Sequence, residues 1–125
     1  MSLTEQQLRF FDTFGFLHFP GLFANDIDRI TESFERVWEN HGGGHQGRVH
    51  DHKRRSAMMP FIDQNEYLCG LLDDRRLDGI ASAILGNDYN YTVSDGNFYV
   101  GDTYWHSDFS RSKPTIKAAF YLDKV

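Results

Sequence analysis

Apolar residues return at helical spacing in the first two-thirds of the chain and at a spacing of two only after Gly86. Ser2 and Glu5 match the S-x-x-E capping pattern. Leu8, Phe11 and Phe14 then mark one face of a helix, and Gly15 stands where such a helix stops. The stretch FLHFPGLF, Phe16 to Phe23, is too apolar and too punctuated to continue it. It reads as a short strand ending in a turn at Pro20-Gly21. Asn25 or Asp26 caps a second helix, in which Ile27, Ile30, Phe34, Val37 and Trp38 recur up to Asn40. The Gly-rich HGGGHQG ends that helix and opens a loop running to about Ser56. NEYLCGLLDD predicts a short helix. In DDRRLDGIASAILG, Asp73 or Asp74 is the cap, Leu77, Ile80, Ala81, Ile84 and Leu85 form the apolar face, and Gly86 is the stop.

Beyond Gly86 the runs YNYTV, NFYV and TIKAAFYL are β-type, rich in aromatic and β-branched residues. Helices first and strands last define an α+β layout in one domain, with a helical part over about 1–86 and a β part over about 87–125. The sheet has only begun when the sequence reaches Val125. A β-rich run without a neighbour is an exposed edge, so the layout predicts the N-terminal part of a longer domain.

Composition narrows the classes. The 125 residues are 40% hydrophobic and 25% charged, normal for a globular protein, and 15% aromatic, with eleven Phe and six Tyr. Such a chain can build a core or line an apolar pocket. A net charge of −5 argues against a nucleic-acid binder that works through a general basic field. The lone Cys69 permits no internal disulfide and fits a reducing compartment. It reads as a buried helix residue without a catalytic role. The N-terminus lacks the charged and apolar regions of a signal peptide, and no apolar stretch reaches membrane-span length. The expectation is a soluble cytoplasmic protein with no nucleic-acid or membrane partner.

The candidate chemistry lies in YVGDTYWHSDFSR, Tyr99 to Arg111. On a strand, His106 and Asp108 at i and i+2 project from the same face. An imidazole and a carboxylate suit a divalent first-row metal, and a second His would complete the facial triad of non-haem Fe(II) oxygenases. The bare pair by itself favours an ordinary polar turn, in which His106 and Asp108 hydrogen-bond each other or the backbone; the β-type runs and the aromatics at Tyr104, Trp105 and Phe109 shift the balance toward a metal. On the strands before it, alternation puts Asn97 and Tyr99 on one face and Phe98 and Val100 on the other. Tyr91, Asn97 and Tyr99 contact cosubstrate or substrate if they face inward. Lys117 sits in an apolar run, where it either blunts an edge or serves a site. His41, His45, His50 and His52 crowd the Gly-rich loop without a Cys partner or a structural zinc spacing, which favours a solvated loop. The same loop, with HKRR, could lie over a site mouth and meet an anionic group. His18 reads as a packed or half-exposed strand residue, and Trp38 as core.

Taken in order, these pieces resemble the phytanoyl-CoA dioxygenase family of Fe(II)- and 2-oxoglutarate-dependent oxygenases. LTEQQLRFFDTFGFLHFPGLFANDIDRITESFERVW resembles that family's opening. LLDDRRLDGIASAILGNDY is similar to the helix and LG before its barrel, YWHSDF to its metal-binding WHxDF motif, and TIKAAFYLD to the strand that follows. The resemblance spans nearly the whole chain, leaving out the loop from His41 to Pro60. It implies N-terminal helices packed on the beginning of a double-stranded β-helix (jelly-roll, cupin-like) core that is incomplete in this chain. It implies that His106 and Asp108 are two iron ligands and that Lys117 lies near 2-oxoglutarate. The implied activity hydroxylates an unactivated C–H of a small molecule, using dioxygen and releasing succinate and carbon dioxide. The family's third ligand is a downstream His, followed by an Arg that binds the far carboxylate of 2-oxoglutarate. Here all six His lie at or before position 106. The 125 residues alone are therefore expected to bind iron weakly and not to turn over. A non-catalytic jelly-roll binding module is the alternative.

Overall fold

The first helix, α1 (Glu5–Phe14), is launched by Thr4 rather than Ser2. Thr4 Oγ1 accepts from the Gln7 amide at 3.2 Å, and Gln7 Oε1 accepts from the Thr4 amide at 2.9 Å. Gln at the third helical position completes a capping box as Glu does, and the extended Thr4 backbone (φ −76°, ψ 158°) is the geometry it requires. Gly15 ends the helix as its sequence position predicts. Its φ of 76° lies in the left-handed region, and its amide donates to Phe11 O at 2.7 Å. No residue of α1 is buried, and Phe10 instead stacks on Phe14 and Phe16 near the surface.

This computed structural model describes residues 2–43, 53, 55–104, 106, 108 and 114–123. Helix α2 (Ile27–Asn40) carries the core. Ile30, Ser33, Val37 and Trp38 recur on one stripe and are buried. They meet Phe61, Leu68 and Leu71, with Phe34 and Phe98 packed against the cluster. The rings interlock: Phe34 lies 5.0 Å from Phe61 and 5.3 Å from Phe98, and Trp38 lies 5.0 Å from Phe98. Leu68 belongs to α3 (Glu66–Gly70), whose N-cap Asn65 accepts from the Leu68 amide. Cys69 lies on this helix but is exposed, which corrects the expectation that it is buried. A helix turns by about 100° per residue. The stripe that buries Leu68 and Leu71 therefore carries Cys69 outward.

Helix α4 (Arg75–Leu85) begins at Asp74, which accepts from the Arg76 amide at 2.8 Å. The same Arg76 reaches back across the fold. Its Nη1 donates to Leu22 O at 3.0 Å and to Asp26 Oδ2 at 2.8 Å, and its guanidinium lies 3.9 Å from the Phe23 ring centroid. Asp26 is at the N-cap of α2 but makes no side-chain cap, because its carboxylate is spent on Arg76. Beside that guanidinium the Asp74 carboxyl is held down at about 2. Phe120 stacks on Phe23 at 4.9 Å, and Phe120 and Leu122 pack on the core. These contacts seat the segment 114–123.

Two strands pair among the described residues, β1 (Ser56–Met58) with β2 (Gly96–Phe98), antiparallel with Ala57 opposite Asn97. NFYV thus contributes only Asn97 and Phe98 to a strand, and the partner strand starts at Ser56, where the predicted loop ends. Phe16–Phe23, Tyr89–Val93 and Thr115–Leu122 form no ladder. Strand propensity describes side-chain fit to a pleated surface, and a strand exists only where a neighbour's amides and carbonyls lie across from it. Phe98 turns into the core, so Asn97 is directed to the opposite face. Buried Gly96 lies against Phe61, whose ring occupies the place of any Cβ there. The α+β class holds. Among the described residues no helix is long and apolar enough to cross a membrane.

Candidate metal centre

After β2 the chain passes Gly101, whose φ of 81° redirects it towards His106. His106 Nδ1 lies 2.7 Å from Tyr104 O, and Nε2 lies 3.1 Å from Asp108 Oδ1. A carbonyl oxygen only accepts, so Nδ1 carries the proton in this contact. In the neutral ring, Nε2 therefore turns a lone pair toward a carboxylate oxygen. Two electron-rich atoms at 3.1 Å repel unless a proton or a cation stands between them. Bonds of about 2.1 Å to a divalent metal, at right angles, separate two donor atoms by about 3 Å. The distance is that of a His–Asp hydrogen bond, as in the polar-turn reading, and it also matches the spacing of two donors on one metal. A backbone carbonyl on the far ring nitrogen is the usual support of a ligating His.

Lys117 completes the local charge pattern. Its Nζ lies 3.6 Å from Asp108 Oδ2 and 3.8 Å from Asp95 Oδ1. The structure thus brings Lys117 to the His106–Asp108 pair. Asp95 also accepts from Asn97 Nδ2 at 2.6 Å. Asn97 Oδ1 in turn accepts from Arg55 Nε at 2.8 Å and Nη2 at 2.6 Å, and Arg55 lies over the Tyr99 ring at 4.3 Å. One polar chain runs from Tyr99 through Arg55, Asn97, Asp95 and Lys117 to Asp108 and His106. Asp95 is the member that sequence reasoning missed; Arg55 entered it only as the end of HKRR, read as able to meet an anionic group. Asp95 was within reach, since it stands two residues before Asn97 and period two puts both on one side. The basic run HKRR marked Arg55 as a cation, but its seat beside Asn97 depends on the β1–β2 register.

Tyr91 joins a different network. Its hydroxyl lies 2.9 Å from Ser94 Oγ and 3.1 Å from Asp63 Oδ2, and Ser94 Oγ accepts from the Phe61 and Ile62 amides. Burial, with the Asp63 carboxylate beside it, pushes its phenol above the usual range. Its observed work is to hold the turn at Ile62–Gln64, and among the described residues no contact links it to His106 or Asp108. His41 donates to Val37 O at 2.8 Å and so closes the end of α2. His18 is exposed. His45, His50 and His52 lie outside the described residues. Among the described residues no three His, Cys, Asp or Glu side chains gather as a metal cluster. The candidate centre is a pair.

An open cleft of about 410 Å³ adjoins His106 and is lined in part by Arg55, Tyr99, Asp102 and Tyr104. No protein-family model matches the chain, and searches of curated proteins and of solved structures found none similar to it.

Proposed function

We propose that His106 and Asp108 are two protein ligands of an Fe(II) centre in a 2-oxoglutarate-dependent oxygenase with a jelly-roll core. The observation that carries this reading is the approach of His106 Nε2 to Asp108 Oδ1 while Nδ1 is committed to a carbonyl. The order of sequence motifs around YWHSDF, in its resemblance to the phytanoyl-CoA dioxygenase family, supports the choice of metal and cosubstrate.

In this reading the bound iron supplies the redox chemistry that converts 2-oxoglutarate, dioxygen and a C–H substrate to succinate, carbon dioxide and the hydroxylated product. The residues of this chain prepare the site. Tyr104 O fixes the tautomer and ring plane of His106. Lys117 offsets the charges of Asp108 and Asp95 and offers an ammonium to an anionic cosubstrate. Asn97 belongs to the same surface by way of Asp95 and Arg55. The third donor of the triad is not a His after position 106 of this sequence.

Succinate release from 2-oxoglutarate under Fe(II) and air tests the reading. These 125 residues alone are expected to release none above the metal-only background. A gene product that adds a downstream His and Arg is expected to release it and to lose that activity in H106A and D108A. Undiminished release in either variant would contradict the assignment.

A further inference from the structure

The cleft beside His106 presents two opposite charges that do not neutralise each other. Arg55 and Asp102 both line it. Arg55 is tied instead to Asn97 and Asp95, and Asp102 forms no hydrogen bond or ion pair among the described residues. Arg55 is also preorganised. Asn97 Oδ1 holds its Nε and Nη2, and Tyr99 supports the guanidinium plane at 4.3 Å. That arrangement leaves Nη1 without a hydrogen bond among the described residues, so the guanidinium retains donor capacity. A fixed guanidinium loses little entropy on meeting a carboxylate. Tyr99, Val100 and the largely exposed Tyr104 add apolar and aromatic surface to this open cleft of about 410 Å³.

We infer that this cleft takes a small zwitterion, an amino-acid-like molecule whose carboxylate meets Arg55 and whose ammonium meets Asp102. A simple anion gains from Arg55 and loses to Asp102, and a simple cation meets the reverse. Only a molecule carrying both charges is attracted by both walls. His106 lines the same cleft, which sets the bound molecule beside the proposed reacting centre. Its role as substrate rests on the oxygenase reading; its binding does not.

Three probes on one carbon skeleton separate the charges: L-leucine, 4-methylpentanoate and 3-methylbutylamine. Each is titrated into metal-free protein and followed by NMR shifts of residues 99–106. Leucine is expected to bind about threefold or more tighter than either single-charge analogue, the range of an exposed ion pair. R55Q is expected to bind leucine no better than the amine, and D102N no better than the acid. Circular dichroism checks that each variant is folded, and exposed Asp102 gives a change remote from the core. Equal binding of the three probes, no binding of any, or unchanged selectivity in both variants overturns the inference. Mn(II) binding is measured in parallel. Absent selectivity in the wild-type protein with intact Mn(II) binding removes only the zwitterion. Absent Mn(II) binding in the wild-type protein with leucine selectivity present removes only the metal reading.

Discussion

His106 and Asp108 approach each other because a carbonyl two residues back anchors one imidazole nitrogen and leaves the other to face the carboxylate. At this scale the sequence was informative about identity and silent about environment. The i, i+2 spacing named both residues, whereas the Tyr104 carbonyl and the Lys117 ammonium are products of the backbone path. The Lys117 ammonium stands between the Asp95 and Asp108 carboxylates. A consequence follows for metal binding. The Lys117 ammonium, 3.6 Å from Asp108 Oδ2, competes with any dication for that carboxylate. K117M is expected to bind Mn(II) several-fold tighter and 2-oxoglutarate several-fold more weakly. Calorimetric titrations with the two ligands check these opposite signs. A parallel fall in both affinities would point to a structural role for Lys117.

Elements were legible where local pattern decides them. Helices α2 and α4 carry apolar stripes, and Gly15 and Gly86 end α1 and α4 at the expected places. The start of α1 moved from Ser2 to Thr4 because two overlapping cap patterns compete and backbone geometry chooses one. Strands were less legible, since pairing is non-local. Nothing in Ser56–Met58 announces that it will lie across from Gly96–Phe98. That pairing turns Phe98 inward and sets Asn97 and Arg55 together, so the site depends on it. Gly96 is the sensitive position, because Phe61 fills the space of a side chain there. G96A is expected to cost about 1–3 kcal/mol through overpacking. In an F61L background the added cost is expected to shrink. Urea unfolding of the four proteins in a double-mutant cycle measures the coupling. Purely additive losses would mean that the ring is not what excludes the methyl group.

Across the whole molecule, Arg76 joins what the sequence keeps far apart. It links Asp74 at the head of α4 with Asp26 and Leu22 before α2, and covers Phe23, against which Phe120 packs. The α+β class could be read from the change of period, but not the order of elements, because β1 falls between α2 and α3. This tie could not, because a single Arg in a charged run carries no sign of its partners. The tie has a pH signature. The Asp74 carboxyl is held at about 2, below its ordinary 3.8, chiefly by the hydrogen-bonded Arg76 side chain. A depressed carboxyl stabilises the fold fully above its ordinary value and loses that contribution as pH falls toward 2. Unfolding free energy is therefore expected to drop between about pH 4 and 2 in the wild type. In D74N the slope over that window is expected to be shallower, with lower stability at neutral pH. Identical slopes would remove Asp74 from the acid response. The Phe23–Phe120 contact makes a related prediction for the segment that carries Lys117. F120A is expected to raise amide exchange across 115–122 more than in α2, and uniform acceleration would instead indicate global destabilisation.

The claim on which the functional reading rests is that His106 and Asp108 bind one metal ion between them. Calorimetric titration of the purified chain, H106A and D108A with Mn(II), chosen as a redox-stable stand-in for Fe(II), tests it most directly. One weak equivalent is expected in the wild type, with each substitution lowering the affinity by about tenfold or more. Equal affinity in all three proteins, or no binding in the wild type, would contradict it.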